Sequence, residues 1–319
     1  MNWIPRVILP AAMACICIGS NGAELKTFLD GEAPAPIVYK TAGDLKLSLF
    51  RFASAAAADG RRPALVFIHG GGWVAGGADI FFPHARYFAT RGLVTFSVQY
   101  RLLRPEAGSS IGDCYADCAS AIRYIRSHAG ELGVDPKRIA VLGDSAGGHL
   151  AAALGTRAGT DDPKDDATVS AIPDAMVLCN PIVDMTDAAW IKFVIGGAAL
   201  AKKPKPEDLR PTDAQLADAK RYSPLLQILP KQPPALLMHG LNDRVVSPDQ
   251  ARAFAEAMKK AGNRCDLQLI EGARHAFILT NYTATEATIV DAIQMADRFL
   301  TSLGWLSGEP TLTVSAVQK

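Results

Sequence analysis

Ser145, Asp243 and His275 are the side chains whose types and chain positions could together carry a nucleophilic reaction. Ser145 lies in Gly143-Asp144-Ser145-Ala146-Gly147, between the apolar run Ile139-Ala140-Val141-Leu142 and the helix-friendly Gly148-His149-Leu150-Ala151-Ala152-Ala153-Leu154. A strand that passes into a helix over a single residue makes a sharp, strained turn. The turn lifts that side chain clear of the sheet and needs glycine on both sides. A serine hydroxyl attacks a carbonyl only when a base takes its proton, and an imidazole acts as that base when a carboxylate fixes its tautomer. His275, in Gly272-Ala273-Arg274-His275-Ala276-Phe277, and Asp243, in His239-Gly240-Leu241-Asn242-Asp243, supply those two groups. The chemistry expected is acyl transfer through a covalent intermediate.

A second element bears on the same chemistry. The apolar run Ala64-Leu65-Val66-Phe67-Ile68 ends in His69-Gly70-Gly71-Gly72-Trp73. Three consecutive glycines are entropically costly, and they make sense where bare backbone must approach a ligand. Amides of Gly70, Gly71 and Gly72, with that of Ala146 after the elbow, can donate to an oxyanion; one such donor contributes about 3 kcal/mol of transition-state stabilisation. A flexible turn is the alternative reading.

These residues need a scaffold that brings distant segments to one edge. The chain order is serine, acid, histidine, which is that of an α/β-hydrolase and not of the two unrelated protease folds. The acid and the histidine each follow an apparent strand, Ala235-Leu236-Leu237-Met238 and Leu267-Gln268-Leu269-Ile270, at the edge of a parallel sheet where loops converge. Ile37 to Lys40 and Leu45 to Phe52 read as an antiparallel opening pair turning at Gly43-Asp44. Strands follow near 64–68, 93–98, 138–142, 175–179, 234–238 and 266–270, with helices between them, including one from about Ile111 to Leu132. The fold class is therefore α/β, a mostly parallel, doubly wound sheet with helices on both faces. The stretch from about 185 to 222 breaks the alternation and predicts a small helical cap, with Trp190 or Phe193 facing the substrate.

Taken together, His69-Gly70-Gly71-Gly72, Tyr100-Arg101-Leu102, Asp135-Pro136-Lys137-Arg138-Ile139, Gly143-Asp144-Ser145-Ala146-Gly147-Gly148, His239-Gly240 with Asp243, and His275-Ala276-Phe277 resemble the hormone-sensitive-lipase-like branch of the α/β-hydrolases over about residues 35 to 303. The resemblance implies Ser145 as nucleophile, Asp243 as orienting acid, His275 as base, and Gly70 to Gly72 with Ala146 as the oxyanion hole. Arg221-Tyr222-Ser223-Pro224 is also similar to bacterial acetyl-xylan and feruloyl esterases, which implies short acyl esters, acetyl first, on a carbohydrate. The family follows its Tyr-Arg-Leu with Ala-Pro-Glu, whereas Leu103 and Arg104 here precede Pro105-Glu106, so the loop beside the acyl pocket departs from the family's.

Other residues carry two readings. Trp73, His149, Trp190 and Phe193 are candidates for the substrate pocket; His149, at i+4 from Ser145, could equally be a satisfied, partly buried histidine. His69 and His239 read as groups holding their loops, and Asp144 as a tie from the elbow to its surroundings. Asp184, after Met176-Val177-Leu178-Cys179-Asn180-Pro181-Ile182-Val183, competes with Asp243 for the acid role. No His/Cys spacing matches a zinc site, and no metal or other cofactor is expected.

A formal charge of +1, with no basic stripe, gives nucleic acid no footprint. The expected partner is a small-molecule or carbohydrate ester. Val7 to Ile18 form an apolar core after Arg6, followed by small residues to Ala23. Residues 1–23 read as a signal peptide, too short to span a membrane, so the protein is expected to be secreted or periplasmic. Residues 24–305 form the hydrolase domain, and 306–319 a loose tail. In an oxidising compartment Cys114, Cys118, Cys179 and Cys265 permit three disulfide pairings or buried free thiols, and the oligomeric state is open. A general carboxylesterase or lipase, a serine peptidase or amidase, and a non-catalytic binding protein on this fold are the rival functions.

Overall fold

The continuous apolar runs of the chain, rich in valine, isoleucine and leucine, are what a strand covered on both faces requires. In the computed structural model, which describes residues 22–54, 60–104 and 108–315, they build one eight-stranded sheet. Its strands are β1 (Pro36–Ala42), β2 (Leu45–Phe52), β3 (Arg62–Ile68), β4 (Val94–Val98), β5 (Val134–Asp144), β6 (Ala175–Cys179), β7 (Ala235–Gly240) and β8 (Cys265–Ile270). The spatial order is β1-β2-β4-β3-β5-β6-β7-β8. Only the β1–β2 and β2–β4 pairings are antiparallel; from β4 onward every neighbour is parallel.

Alternation along each strand divides the interior in two. Ala64, Val66 and Ile68 of β3 join one apolar cluster, with Val141 and Leu178, under helices α2 (Ile111–Ser127), α3 (Ala146–Thr156) and α6 (Pro248–Lys260). Leu65 and Phe67 join the other, with Leu142 and Val177, under α1 (Phe82–Thr90) and α7 (Glu286–Ser302). The mostly parallel α/β sheet with helices on both faces is thus observed. Cys114, Cys118, Cys179 and Cys265 are free and buried, and behave as small apolar side chains.

The segment 185–222 holds two short helices, α4 (Ile191–Ile195) and α5 (Asp213–Arg221), with 3-10 turns at Gly197–Leu200 and Pro206–Leu209. Thr212 starts α5 through a reciprocal capping box with Gln215. Gln215 Nε2 also donates to Ile195 O at 3.3 Å, joining the two helices.

The tail expected to be loose is docked as far as Ser315. Leu312–Thr313 pair in parallel with Ala23–Glu24, and Leu312 is fully buried in the second apolar cluster. Ser315 donates from N and Oγ to Glu286 Oε1 at 2.9 and 2.7 Å. Backbone bonds from Ala23 N to Thr311 O at 2.9 Å and from Leu25 N to Thr313 O at 3.2 Å, with buried Leu306 and Leu312, hold the segment. Residues 1–21, most of the expected signal peptide, and Pro105-Glu106 lie outside the described residues. No described helix is long and apolar enough to cross a membrane.

Candidate active site

Strand β5 ends at Asp144 and α3 begins at Ala146, so Ser145 alone makes the turn, at φ +54° and ψ −118°. The glycines around it are dictated by contact. A Cβ on Gly147 would lie 2.0 Å from Ile68 O, and one on Gly143 would lie 2.1 Å from Gly147 O. Helix α3 can approach the sheet this closely only where side chains are missing.

Ser145 Oγ is 2.8 Å from His275 Nε2, and His275 Nδ1 is 2.7 Å from Asp243 Oδ2. The imidazole donates to the carboxylate, which leaves Nε2 to accept the serine proton. Asp243 Oδ1 accepts from the amides of Val245 and Val246 at 2.8 and 3.0 Å, and His239 Nε2 lies 3.3 Å from Oδ2. Burial opposes ionisation of this carboxyl, yet the hydrogen bonds from His239, His275 and Val246 hold it well below the usual carboxylate range. It is an anion throughout the neutral region.

Asp184 stands apart from this array. Its Oδ1 accepts from Thr186 N and Oγ1, a local turn at the entrance to the cap. His239 Nε2 also contacts Val246 O at 3.1 Å, which pins the acid loop.

The glycine loop runs beside the serine. Gly71 and Gly72 have φ of +106° and +60°, and a Cβ on Gly71 would lie 2.2 Å from Ala75 O. A Cβ on Gly70 would lie 2.7 Å from Asp144 O and 3.2 Å from Ser145 Cβ, so the loop and the elbow touch. The Gly71 and Gly72 amides have no acceptor among the described residues, whereas Gly71 O takes the amides of Val74 and Ala75. His69 braces the loop: Nδ1 contacts Gly70 O at 2.8 Å and the ring stacks on Tyr100 at 4.3 Å. Burial lowers His69 to about 4, so it braces as a neutral ring.

A cavity of about 680 Å³ opens over Ser145 and His275, bounded by Gly70 to Gly72 on one side and by Trp190 and Phe193 of the cap on another. The cap residues singled out in the sequence therefore do stand over the serine. Trp73 and His149 do not line the cavity, and that part of the expectation is corrected. Trp73, at φ +62°, is fully buried, with Phe193 and Trp190 packed on it at 5.0 and 6.3 Å between ring centroids. His149 Nδ1 accepts the indole N–H of Trp73 at 3.2 Å, and Nε2 donates to Tyr222 O at 2.8 Å. Burial lowers His149 to about 4, so it is a neutral strut between the loop, α3 and the end of the cap.

Residues without an earlier assignment complete the site. Asn180 donates from Nδ2 to Asp144 Oδ1 at 2.9 Å, and its Oδ1 accepts the Ala276 amide at 3.2 Å. Its one sequence signal is a polar side chain at the end of an apolar strand. Arg101 forms a two-pronged pair with buried Asp117, at 2.7 and 2.8 Å, which fixes Tyr100-Arg101-Leu102 against α2. Among the described residues no group of three His, Cys, Asp or Glu side chains could hold a metal ion.

Against known proteins, a family model described as the alpha/beta hydrolase fold matches residues 65–279. The carboxylic ester hydrolase LipN of Mycobacterium tuberculosis is 31% identical over 281 residues, covering 84% of this chain and 69% of that protein. An isoprenylcysteine alpha-carbonyl methylesterase of Arabidopsis thaliana is 26% identical over 227 residues, 68% of this chain. The chain spans about half of that plant protein's length, 51%. Among solved structures, esterase 2 of Thermogutta terrifontis phosphorylated by paraoxon is 34% identical with a TM-score of 0.74, covering 88% of this chain and 98% of that one. Other structures of that esterase hold propionate or butyrate.

Proposed function

The chain belongs to the alpha/beta hydrolase fold family, and from that premise we propose that it is a serine carboxylesterase working through an acyl-enzyme. The observation that carries this reading is the relay from Ser145 Oγ through His275 to Asp243, at 2.8 and 2.7 Å, under an open cavity. Ser145 Oγ attacks the ester carbonyl while His275 Nε2 takes its proton. Asp243 stabilises the imidazolium, and the amides of Gly71, Gly72 and Ala146 receive the oxyanion. The imidazolium then protonates the departing alcohol, and water repeats the cycle to release the acid.

The acyl group in this reading is short, acetyl first, and the alcohol a carbohydrate. The propionate and butyrate bound by the Thermogutta esterase support the first half. Tyr282, an aromatic ring that borders the cavity together with His275, offers a flat face for a sugar ring and supports the second. The enzyme is exported by its N-terminal segment, residues 1–23, in line with an extracellular polymer as substrate.

The test compares p-nitrophenyl acetate, butyrate and decanoate with acetate release from acetylated xylan, using residues 24–319 and Ser145→Ala. Ser145-dependent turnover highest on acetate, with release from xylan, is the expected result. Turnover retained by Ser145→Ala overturns the mechanism, and a preference for decanoate with no release from xylan overturns the substrate assignment.

A further inference from the structure

The cavity over Ser145 continues into a second hollow of about 590 Å³, and Val245, His275 and Tyr282 border both. The second hollow is lined by Arg244 and Arg274. Each arginine is the chain neighbour of a relay residue, Arg244 following Asp243 and Arg274 preceding His275. The loops that carry them are bound together by Leu241 N to Ile270 O at 3.0 Å and Asn242 N to Ala273 O at 2.9 Å. A Cβ on Gly240 would lie 2.4 Å from Ala273 O, so the two backbones are in direct contact. The arginines are therefore mounted on the same rigid pair of loops as the relay.

Both arginines are exposed, and neither pairs with a carboxylate among the described residues. Lys192 of the cap borders the first cavity and faces the same space. The carboxylates lining the two hollows are Asp144 and Asp243, both buried and engaged in holding the relay. Three cationic side chains, Arg244, Arg274 and Lys192, therefore border one site whose two carboxylates are already engaged.

Chemistry decides which half of an ester meets it. His275 Nε2 must protonate the departing alcohol oxygen, so the alcohol part leaves on the histidine side, where the hollow of Arg244 and Arg274 begins. The acyl part lies toward the glycine loop and the apolar cap. Resting on the esterase reading above, we propose that Arg244 and Arg274 select esters whose alcohol part carries a carboxylate, such as an acetylated acidic sugar. Arginine offers a planar fork matched to a carboxylate, with Lys192 adding long-range attraction.

The test is a ratio. The enzyme is given 4-acetoxybenzoate and its neutral isostere 4-acetoxybenzamide, and kcat/KM for the first is divided by that for the second. The ratio cancels any general damage to the relay. The ratio for the parent should exceed that of Arg244→Gln/Arg274→Gln by about tenfold at low salt, with the excess shrinking in about 0.5 M NaCl as the charges are screened. Arg244→Lys/Arg274→Lys should keep part of the preference, and Arg244→Glu/Arg274→Glu should reverse it. A ratio equal in the parent and the Gln variant, or one indifferent to salt, overturns the proposal while the esterase reading stands. Absence of Ser145-dependent turnover on either compound and on p-nitrophenyl esters removes both.

Discussion

Asn180 bonds Asp144, 36 positions before it, and the Ala276 amide, 96 positions after it, so a single carboxamide ties the nucleophile's strand to the histidine's loop. Its own φ of +36° is one that asparagine tolerates better than most residues. Asn180→Ala leaves buried Asp144 without this donor and the Ala276 amide without its acceptor. The cost in stability should be about 2–4 kcal/mol, seen in urea unfolding. At a temperature where the variant is fully folded, kcat should fall about 10- to 100-fold with KM held, because the misplaced imidazole affects the reacting geometry and not substrate binding. A kcat within twofold of the parent would show that the histidine loop keeps its place unaided.

The elbow stores backbone strain that can be measured. A non-glycine residue in a sparsely populated region such as that of Ser145 costs about 1–3 kcal/mol. Ser145→Ala and Ser145→Gly both lose the hydroxyl and turnover, but only glycine relaxes the turn. After allowing for the greater freedom of glycine in the unfolded chain, Ser145→Gly should be the more stable of the two by about 1 kcal/mol. Thermal unfolding of the pair reads the difference, and an alanine variant equal to or above the glycine variant contradicts the strain assignment.

Asp144 gives the site a pH signature. Burial raises its carboxyl to about 6, against the pull of His275 and the Asn180 hydrogen bond. A carboxyl whose folded pKa exceeds its unfolded value of about 3.9 contributes stability below that value and loses it as pH climbs through 6. Asp144→Asn removes the titration and keeps an oxygen for Asn180 Nδ2. Relative to this variant, the parent's unfolding free energy should fall by up to about 3 kcal/mol between about pH 4 and 7. Urea unfolding of both proteins at the two pH values measures it. A difference that stays constant between them contradicts the assignment.

The relay and the glycine loop were legible in the sequence because backbone geometry dictates them locally. An elbow at φ +54° demands Gly143 and Gly147, and a loop threading past Asp144 O demands Gly70. Strand positions were legible for a related reason, since burial on both faces leaves a continuous apolar run. Side-chain direction was not. Trp73 sits beside three loop glycines, but its positive φ turns the indole into the core, where His149 accepts its N–H. The role of Asn180 was hidden because it exists only when β6 and the histidine loop meet. Leu312 escaped because its strand is two residues long and pairs only with Ala23–Glu24, a partnership that exists once the two ends of the described chain meet.

Phe193 gives the strongest control over acyl length. It is half-buried, borders the cavity but not the hollow of Arg244 and Arg274, and packs on Trp73 at 5.0 Å and Trp190 at 6.1 Å. Phe193→Ala enlarges that side of the cavity and uncovers the Trp73 ring on which it packs. The ratio of kcat/KM for p-nitrophenyl decanoate to that for the acetate should rise about tenfold, the discrimination that one or two buried methylenes provide. Truncation of a partly buried ring also costs about 1–3 kcal/mol, so the ratio is taken below the onset of unfolding. Tyr282→Ala is the counterpart on the histidine side. It removes a 58% exposed ring that borders both hollows, and it should leave the chain-length ratio within twofold of the parent. If the Tyr282 variant shifts the ratio and the Phe193 variant does not, the acyl chain lies on the histidine side, and the two halves of the ester exchange places.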